Sequence, residues 1–173
     1  DLFLLVYLNK NQLKTIIFIF SCFFIGMISE ILGVNFGIIF GDYDYGGALG
    51  YKFFDVPLLI GANWAILTVS CAALSATLFD SVIFKVIMGV FLMVMLDAVI
   101  EPIAPILDFW EFDGGKAPLK NYIGWIIVAF PLNCMYHILN IKVNGTFTHH
   151  LIILNILFFS ILLLQLNTLK NLI

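Results

Sequence analysis

The sequence contains no arginine, and all eight of its basic residues are lysines. Sites that hold phosphate or carboxylate groups through two parallel hydrogen bonds usually need the guanidinium group, so the lack of arginine argues against a site of that kind. The formal net charge is -3 at pH 7. Because no basic cluster is present either, nucleic acid is excluded as a predicted partner.

Charged residues are also scarce, since they make up 11% of the chain against 62% hydrophobic residues, and the mean hydropathy is +1.09. A soluble domain usually carries about 25% charged residues. Cys22, Cys71 and Cys134 each lie in an apolar segment without the spacing of a metal or redox site, so we interpret them as small buried side chains. The composition predicts a protein that is surrounded by lipid.

Several segments of the chain are apolar enough to lie in a membrane, where a spanning helix takes roughly 20 mostly apolar residues. Five segments meet this length, namely 13–33, 57–79, 82–102, 122–142 and 148–168, and segment 1–8 has the pattern of the tail of another helix. We find no internal repeat and no linker. Residues 1–173 are therefore predicted to form a single integral membrane helical-bundle domain, an all-α polytopic bundle with five full spans and a truncated N-terminal one.

If successive helices alternate in direction, one membrane face collects most of the acidic residues. We define face B as the face where segments 13–33 and 82–102 end and where segments 57–79 and 122–142 begin. All acidic residues except Asp1 and Asp80 lie at or near face B. The lysines are divided equally between the two faces, so the positive-inside rule does not assign an orientation.

Two of these acids, Glu30 and Asp97, lie inside apolar helices, and Glu101 follows Asp97 by one turn on the same helix face. A charged carboxylate in lipid costs at least about 2.5 kcal/mol, so such groups normally face a bundle interior or a wet cavity. Two carboxyl groups this close resist ionising together, and one that keeps its proton is a general acid. Glu101 precedes Pro102, which favours an extended backbone and leaves a position at the membrane interface open.

Aromatic residues are concentrated at the same face. Trp64, Trp110 and Trp125 lie near it, as do Tyr43 and Tyr45 in the polar loop that follows the first full segment. Aromatic belts are common at membrane interfaces, but Trp64 lies deeper than a belt position. Because aromatic rings also stabilise positive charge, carboxylic acids beside such rings suit a carbocation intermediate.

The order of these residues resembles that of a known family. The segments EILGVNFGIIFGDYDYGGALGYKFFDVPLLIGANW (30–64), DAVIEPIAP (97–105) and APLKNYIGW (117–125) resemble the carotenoid biosynthesis integral membrane family. Its characterised members include carotenoid 1,2-hydratases such as the bisanhydrobacterioruberin hydratase. The most specific part is the order Glu, Gly, Phe-Gly-x-Tyr-x-Tyr, Pro, Trp, and beyond residue 126 only the hydrophobic pattern agrees.

The resemblance implies a carotenoid hydratase that adds water across the terminal C1=C2 double bond of an acyclic carotenoid end. Protonation of C2 gives a tertiary cation at C1, which water then captures, so the reaction needs no cofactor and no metal. Asp97 is the preferred proton donor, with Glu101 or Glu30 as its partner or as the base that orients water. The residues predicted to bind substrate are Trp64, Trp110, Trp125, Tyr43, Tyr45 and Asn121.

Three other functions stay open at this level. A carotenoid end-group cyclase begins with the same protonation, but an internal double bond captures the cation. The stretches DYD and DFWEFD could supply magnesium ligands in a polyprenyl-diphosphate transferase, although paired motifs and basic clamps are missing. Asp97 and Glu101 could also serve a proton-coupled transporter. The predicted partners are a carotenoid and the lipid bilayer, the predicted location is the cell membrane, and the oligomeric state is undetermined.

Overall fold

The computed structural model describes residues 12–143 and 145–170, which form five helices and four short strands. The helices are α1 (Gln12–Phe36), α2 (Leu58–Leu78), α3 (Val82–Ile100), α4 (Leu119–Ile138) and α5 (Gly145–Lys170). The strands are β1 (Tyr43–Tyr45), β2 (Lys52–Phe53), β3 (Val56–Pro57) and β4 (Trp110–Phe112). The prediction of a mostly helical protein is confirmed, whereas the short strands were not predicted. The predicted partial span at 1–8 lies outside the described residues.

Four of the described helices, not five, are long and apolar enough to cross a membrane. They are Gln12–Phe36, Leu58–Leu78, Val82–Ile100 and Gly145–Gln165. The fifth full span, predicted over 122–142, corresponds to α4, and it is not confirmed. Its apolar sequence is interrupted by polar residues such as Asn121, Asn133 and His137. Two of these, Asn121 and Asn133, are buried among the other helices, whereas Ile126, Ile127 and Phe130 of the same helix are exposed.

The two longer loops, which follow α1 and α3, are joined by strand pairing. β1 pairs antiparallel with β4, so that Tyr43 lies opposite Phe112 and Tyr45 lies opposite Trp110. Because successive side chains of a strand point to opposite faces, Tyr43 and Tyr45 are both buried while Asp44 between them is exposed. The pairing therefore directs two phenol groups into the bundle from a polar loop. β2 and β3 form a separate two-stranded hairpin.

The carboxylate of Asp108 also joins these two loops by hydrogen bonds. Asp108 Oδ2 accepts hydrogen bonds from the backbone N–H groups of Gly47 at 2.7 Å and Ala48 at 3.1 Å. Asp108 has a φ of 55°, in the left-handed region that short polar side chains adopt more readily than most residues. The contact holds the stretch after β1 against the turn that leads into β4.

The backbone at the end of α3 differs from the expectation for a residue before proline. Glu101 precedes Pro102 but has helical dihedrals, with φ -45° and ψ -48°. Its N–H donates to the carbonyl oxygen of Asp97 at 2.9 Å, and Ala104 N–H donates to Ile100 at 2.9 Å. The helical turn thus continues through the proline, because these backbone bonds outweigh the local preference. The carboxyl group of Glu101 stays on the same face as Asp97.

Helix α2 packs against the other four described helices. Its buried positions are mostly small residues, which let neighbouring helices approach closely. On the α1 side the approach depends on Gly26, where a Cβ atom would lie 2.5 Å from Cγ of Trp64. The indole of Trp64 therefore lies directly against the α1 backbone, one turn from Glu30.

Candidate active site

A small cavity lies at face B, between the first four described helices and the paired strands. Its volume is about 30 Å³, enough for one or two water molecules. Every residue that we predicted to be catalytic or substrate-binding lines this cavity. They are Glu30, Tyr43, Tyr45, Trp64, Asp97, Glu101, Trp110, Asn121 and Trp125. This convergence is the arrangement expected if α1 to α4 alternate in direction.

Glu30 is buried, with 5% of its surface exposed, and accepts three hydrogen bonds from aromatic side chains. Tyr43 Oη donates to Oε2 at 2.5 Å, Tyr45 Oη donates to the same oxygen at 2.8 Å, and Trp64 Nε1 donates to Oε1 at 2.8 Å. Burial raises the pKa of both tyrosines, and the neighbouring Glu30 raises it further, so both phenols stay protonated as donors. Glu30 therefore holds three aromatic residues in place.

Asp97 and Glu101 form the second polar group of the cavity, and both accept from Asn121. Asn121 Nδ2 donates to Asp97 Oδ2 at 2.8 Å and to Glu101 Oε1 at 3.3 Å, and Trp110 Nε1 also donates to Glu101 Oε1 at 3.3 Å. Burial raises the pKa of Glu101, which follows the last residue of α3, to about 7, although the Trp110 hydrogen bond opposes this shift. Glu101 therefore gains and loses a proton near neutral pH.

Indole rings form one wall of the cavity. Trp64 and Trp125 are stacked with ring centroids 4.3 Å apart and an interplanar angle of 22°. Phe40 extends this wall, with its ring centroid 6.2 Å from that of Trp64. The faces of such rings carry partial negative charge, so the wall would stabilise a cation that forms beside it.

The charged side chains that line the cavity are all acidic. Among the described residues that line the cavity, three are acidic and none is lysine or histidine. Three carboxylates without a cation nearby would repel one another strongly in a buried site, and each would also lose its hydration. We conclude that the cavity retains at least one carboxylic acid proton, which is the requirement for acid catalysis.

A sequence model of the family described as carotenoid biosynthesis protein matches residues 2–172. The chain belongs to this family. With four helices able to span a bilayer, it is a membrane protein with a role in carotenoid biosynthesis. Neither the curated proteins nor the solved structures gave a match.

A second and larger pocket lies beside the cavity. This pocket has a volume of about 440 Å³, and we call it the outer pocket. It shares Glu101, Trp110 and Phe112 with the small cavity, which we call the acid cavity because three acidic residues line it. It is also lined by Lys116, whose side chain is exposed, and by Tyr122. The outer pocket therefore offers a route from the exposed side chain of Lys116 to the carboxyl group of Glu101.

Four residues of the cavity were not predicted from the sequence. Asn63 could have been found, since it is polar within an apolar helix and directly precedes Trp64. Phe112 had no local signal, because only its pairing with Tyr43 across two loops brings it to the site. The four residues are Phe40, Ile60, Asn63 and Phe112.

Proposed function

We propose that this protein is a carotenoid hydratase that adds water across the terminal C1=C2 double bond of an acyclic carotenoid end. The observation that carries the proposal is the pair of buried Asp97 and half-buried Glu101, which line one cavity together with the indoles of Trp64 and Trp125. Family membership supports the substrate class. The protein would be a multi-pass protein of the cell membrane. Its carotenoid substrate would stay in the lipid phase, and its second substrate, water, would enter from the membrane surface.

Asp97 is the proton donor in this scheme. It is 3% exposed and lies one turn deeper than Glu101, where the end of an apolar chain would meet it. The π electrons of C1=C2 form the new C2–H bond with the Asp97 proton, which leaves an Asp97 carboxylate and a tertiary cation at C1. The indole rings of Trp64 and Trp125, which line the cavity, stabilise this cation.

Glu101 is the base that accepts a proton from the attacking water. A water molecule from the outer pocket bonds to C1 through an oxygen lone pair, and the Glu101 carboxylate accepts the proton that this oxygen releases. The product is a tertiary alcohol. The proton then passes from Glu101 to Asp97, one helical turn away and bridged to it by Asn121, which restores the starting state. Glu30 serves as a positioning residue, because its oxygens already accept from three aromatic donors.

Product mass tests this function. In a bacterium that makes lycopene, expression of the protein should produce pigments that are heavier by one water for each reacted end. The purified protein should do the same without nucleotide and in the presence of a chelator, since only a proton and water are consumed. A cyclic product of unchanged mass would identify a cyclase instead. Loss of activity with chelator and recovery with magnesium would favour a prenyl transferase.

The rate of hydration should rise with pH on the acidic side, with a midpoint near the Glu101 pKa of about 7. Glu101 must be ionised to accept a proton from water, so the competent fraction increases about tenfold from pH 6 to pH 8. Initial rates in proteoliposomes measure this. Glu101→Gln should be slower and lose the acidic limb, whereas Asp113→Asn, an exposed loop position, should keep it. A wild-type rate that does not change over this pH range would remove Glu101 from the mechanism.

A further inference from the structure

An apolar groove of about 220 Å³ lies beside the acid cavity, between α2, α3 and α5. Among the described residues that line it, none is ionisable, and the only polar side chains are those of Asn63 and Asn155. The apolar lining includes Leu59, Ile60, Ile66, Ile100, Phe109 and Phe159. Such a surface matches an uncharged hydrocarbon chain and offers no partner to a phosphate or carboxylate group.

The groove follows the axis of α2 into the membrane. Leu59, Asn63 and Ile66 lie on successive turns of α2, and a rise of 1.5 Å per residue places the first and last about 10 Å apart. Leu59 is close to the start of α2 at face B, and Ile66 is nearer the middle of that helix. The groove thus extends from the acid site toward the centre of the bilayer, whereas the outer pocket with its exposed Lys116 extends toward water.

The groove and the acid cavity share a boundary. Ile60, Asn63 and Trp110 line both of them, and Trp110 lines the outer pocket as well. Trp110 is half-buried at the start of β4, and its Nε1 donates to Glu101 Oε1 at 3.3 Å. A cavity that holds one or two water molecules does not hold an isoprene unit. Movement of the Trp110 indole would open the acid cavity to the groove.

We infer that the groove binds the polyene chain of the carotenoid and that Trp110 is the gate between this chain and the acid residues. The inference rests on the proposed function for the identity of the reacting end. We prefer the polyene to other apolar ligands because the groove and the acid cavity share a boundary. A polyene chain that lies in the groove would place its terminal isoprene unit beside Trp110, next to the acids. The competing ligand of the same chemistry is the acyl chain of a phospholipid.

A substitution that fills the groove tests this inference. Ile66→Trp adds bulk at a groove residue that does not line the acid cavity, so we expect retention of lycopene by protein purified from lycopene-producing cells to fall at least about tenfold. Ile156→Trp is the matched control, since Ile156 is exposed on α5 and is not part of the groove lining; it should retain lycopene as the wild type does. Bound pigment per protein is measured by absorbance, and bound phospholipid by mass spectrometry. Leu59→Trp, at a groove position that is 54% exposed, replaces Ile66→Trp if the latter does not fold.

A second readout uses a short acyclic isoprenoid hydrocarbon with the same terminal double bond. In Ile66→Trp the conversion of lycopene should fall by a larger factor than the conversion of this short substrate, which does not extend along the groove. Lycopene retained at the wild-type level by folded Ile66→Trp and Leu59→Trp would overturn the inference, as would wild-type protein that carries phospholipid in place of lycopene. If the wild type retains lycopene through the groove but forms no hydrated product, the proposed function fails and the groove assignment stands.

Discussion

The Asp97→Asn variant should insert and fold normally but form about 10²–10⁴-fold less hydrated carotenoid than the wild type. Asparagine keeps the size of aspartate, and its carbonyl oxygen can still accept the hydrogen bond that Asn121 Nδ2 donates to Asp97 at 2.8 Å. What the variant lacks is a transferable proton. Formation of a tertiary cation without a positioned acid is slow, so the loss should appear in the rate of the chemical step and not in the amount of protein.

Two further variants sharpen this test. Glu101→Gln should lose less activity than Asp97→Asn, because water can release its proton to solvent through the outer pocket. Asp113→Asn should hydrate at the wild-type rate, since Asp113 is exposed and outside the lining of the cavity. All three are compared in lycopene-producing cells at matched protein levels. Normal product from Asp97→Asn would show that another carboxyl group donates the proton.

The second large effect is expected on stability, from Glu30→Leu. This change removes the acceptor of three buried donors, namely the hydroxyl groups of Tyr43 and Tyr45 and the indole N–H of Trp64. Each buried donor without an acceptor costs roughly 1–3 kcal/mol, so the folded state should lose about 3 kcal/mol or more. The measurement is the unfolding temperature of the purified protein in detergent. Asp113→Leu, which removes an exposed carboxylate, is the matched control and should unfold as the wild type does.

The conservative variant Glu30→Gln distinguishes positioning from acid catalysis. Its amide oxygen can accept from Trp64, and its NH₂ group can donate to the tyrosine hydroxyls if these rotate. If Glu30 only positions the aromatic residues, the Glu30→Gln variant should therefore keep part of the wild-type unfolding temperature and part of the wild-type product yield. If Glu30→Gln folds as well as the wild type but hydrates as poorly as Asp97→Asn, then Glu30 takes part in proton transfer. If Glu30→Leu unfolds at the wild-type temperature, the three hydrogen bonds contribute no net stability.

Much of this arrangement was predictable from the sequence, for local reasons. The length and apolarity of a segment determine whether it forms a helix in lipid, and the direction of each helix then follows from its place in the chain. Glu30 near the end of one segment, Asp97 near the end of another and Asn121 at the start of a third were therefore expected at one face. The structure places all three around one cavity. The same local reasoning predicted a fifth full span over 122–142, which is not confirmed because polar residues interrupt the apolar sequence of α4.

The partners of the acids were decided only by the tertiary structure. From the sequence, Glu30 and Asp97 were both carboxyl groups within apolar helices, with Asp97 preferred as the proton donor. Their partners differ because β1, paired with a strand more than 60 residues further along the chain, brings Tyr43 and Tyr45 to Glu30, while Asp97 accepts a hydrogen bond from the amide of Asn121. Two loops can pair as antiparallel strands only if the helices on either side of them are packed close together. The packing of the whole bundle, and not the local sequence, determines those helix positions.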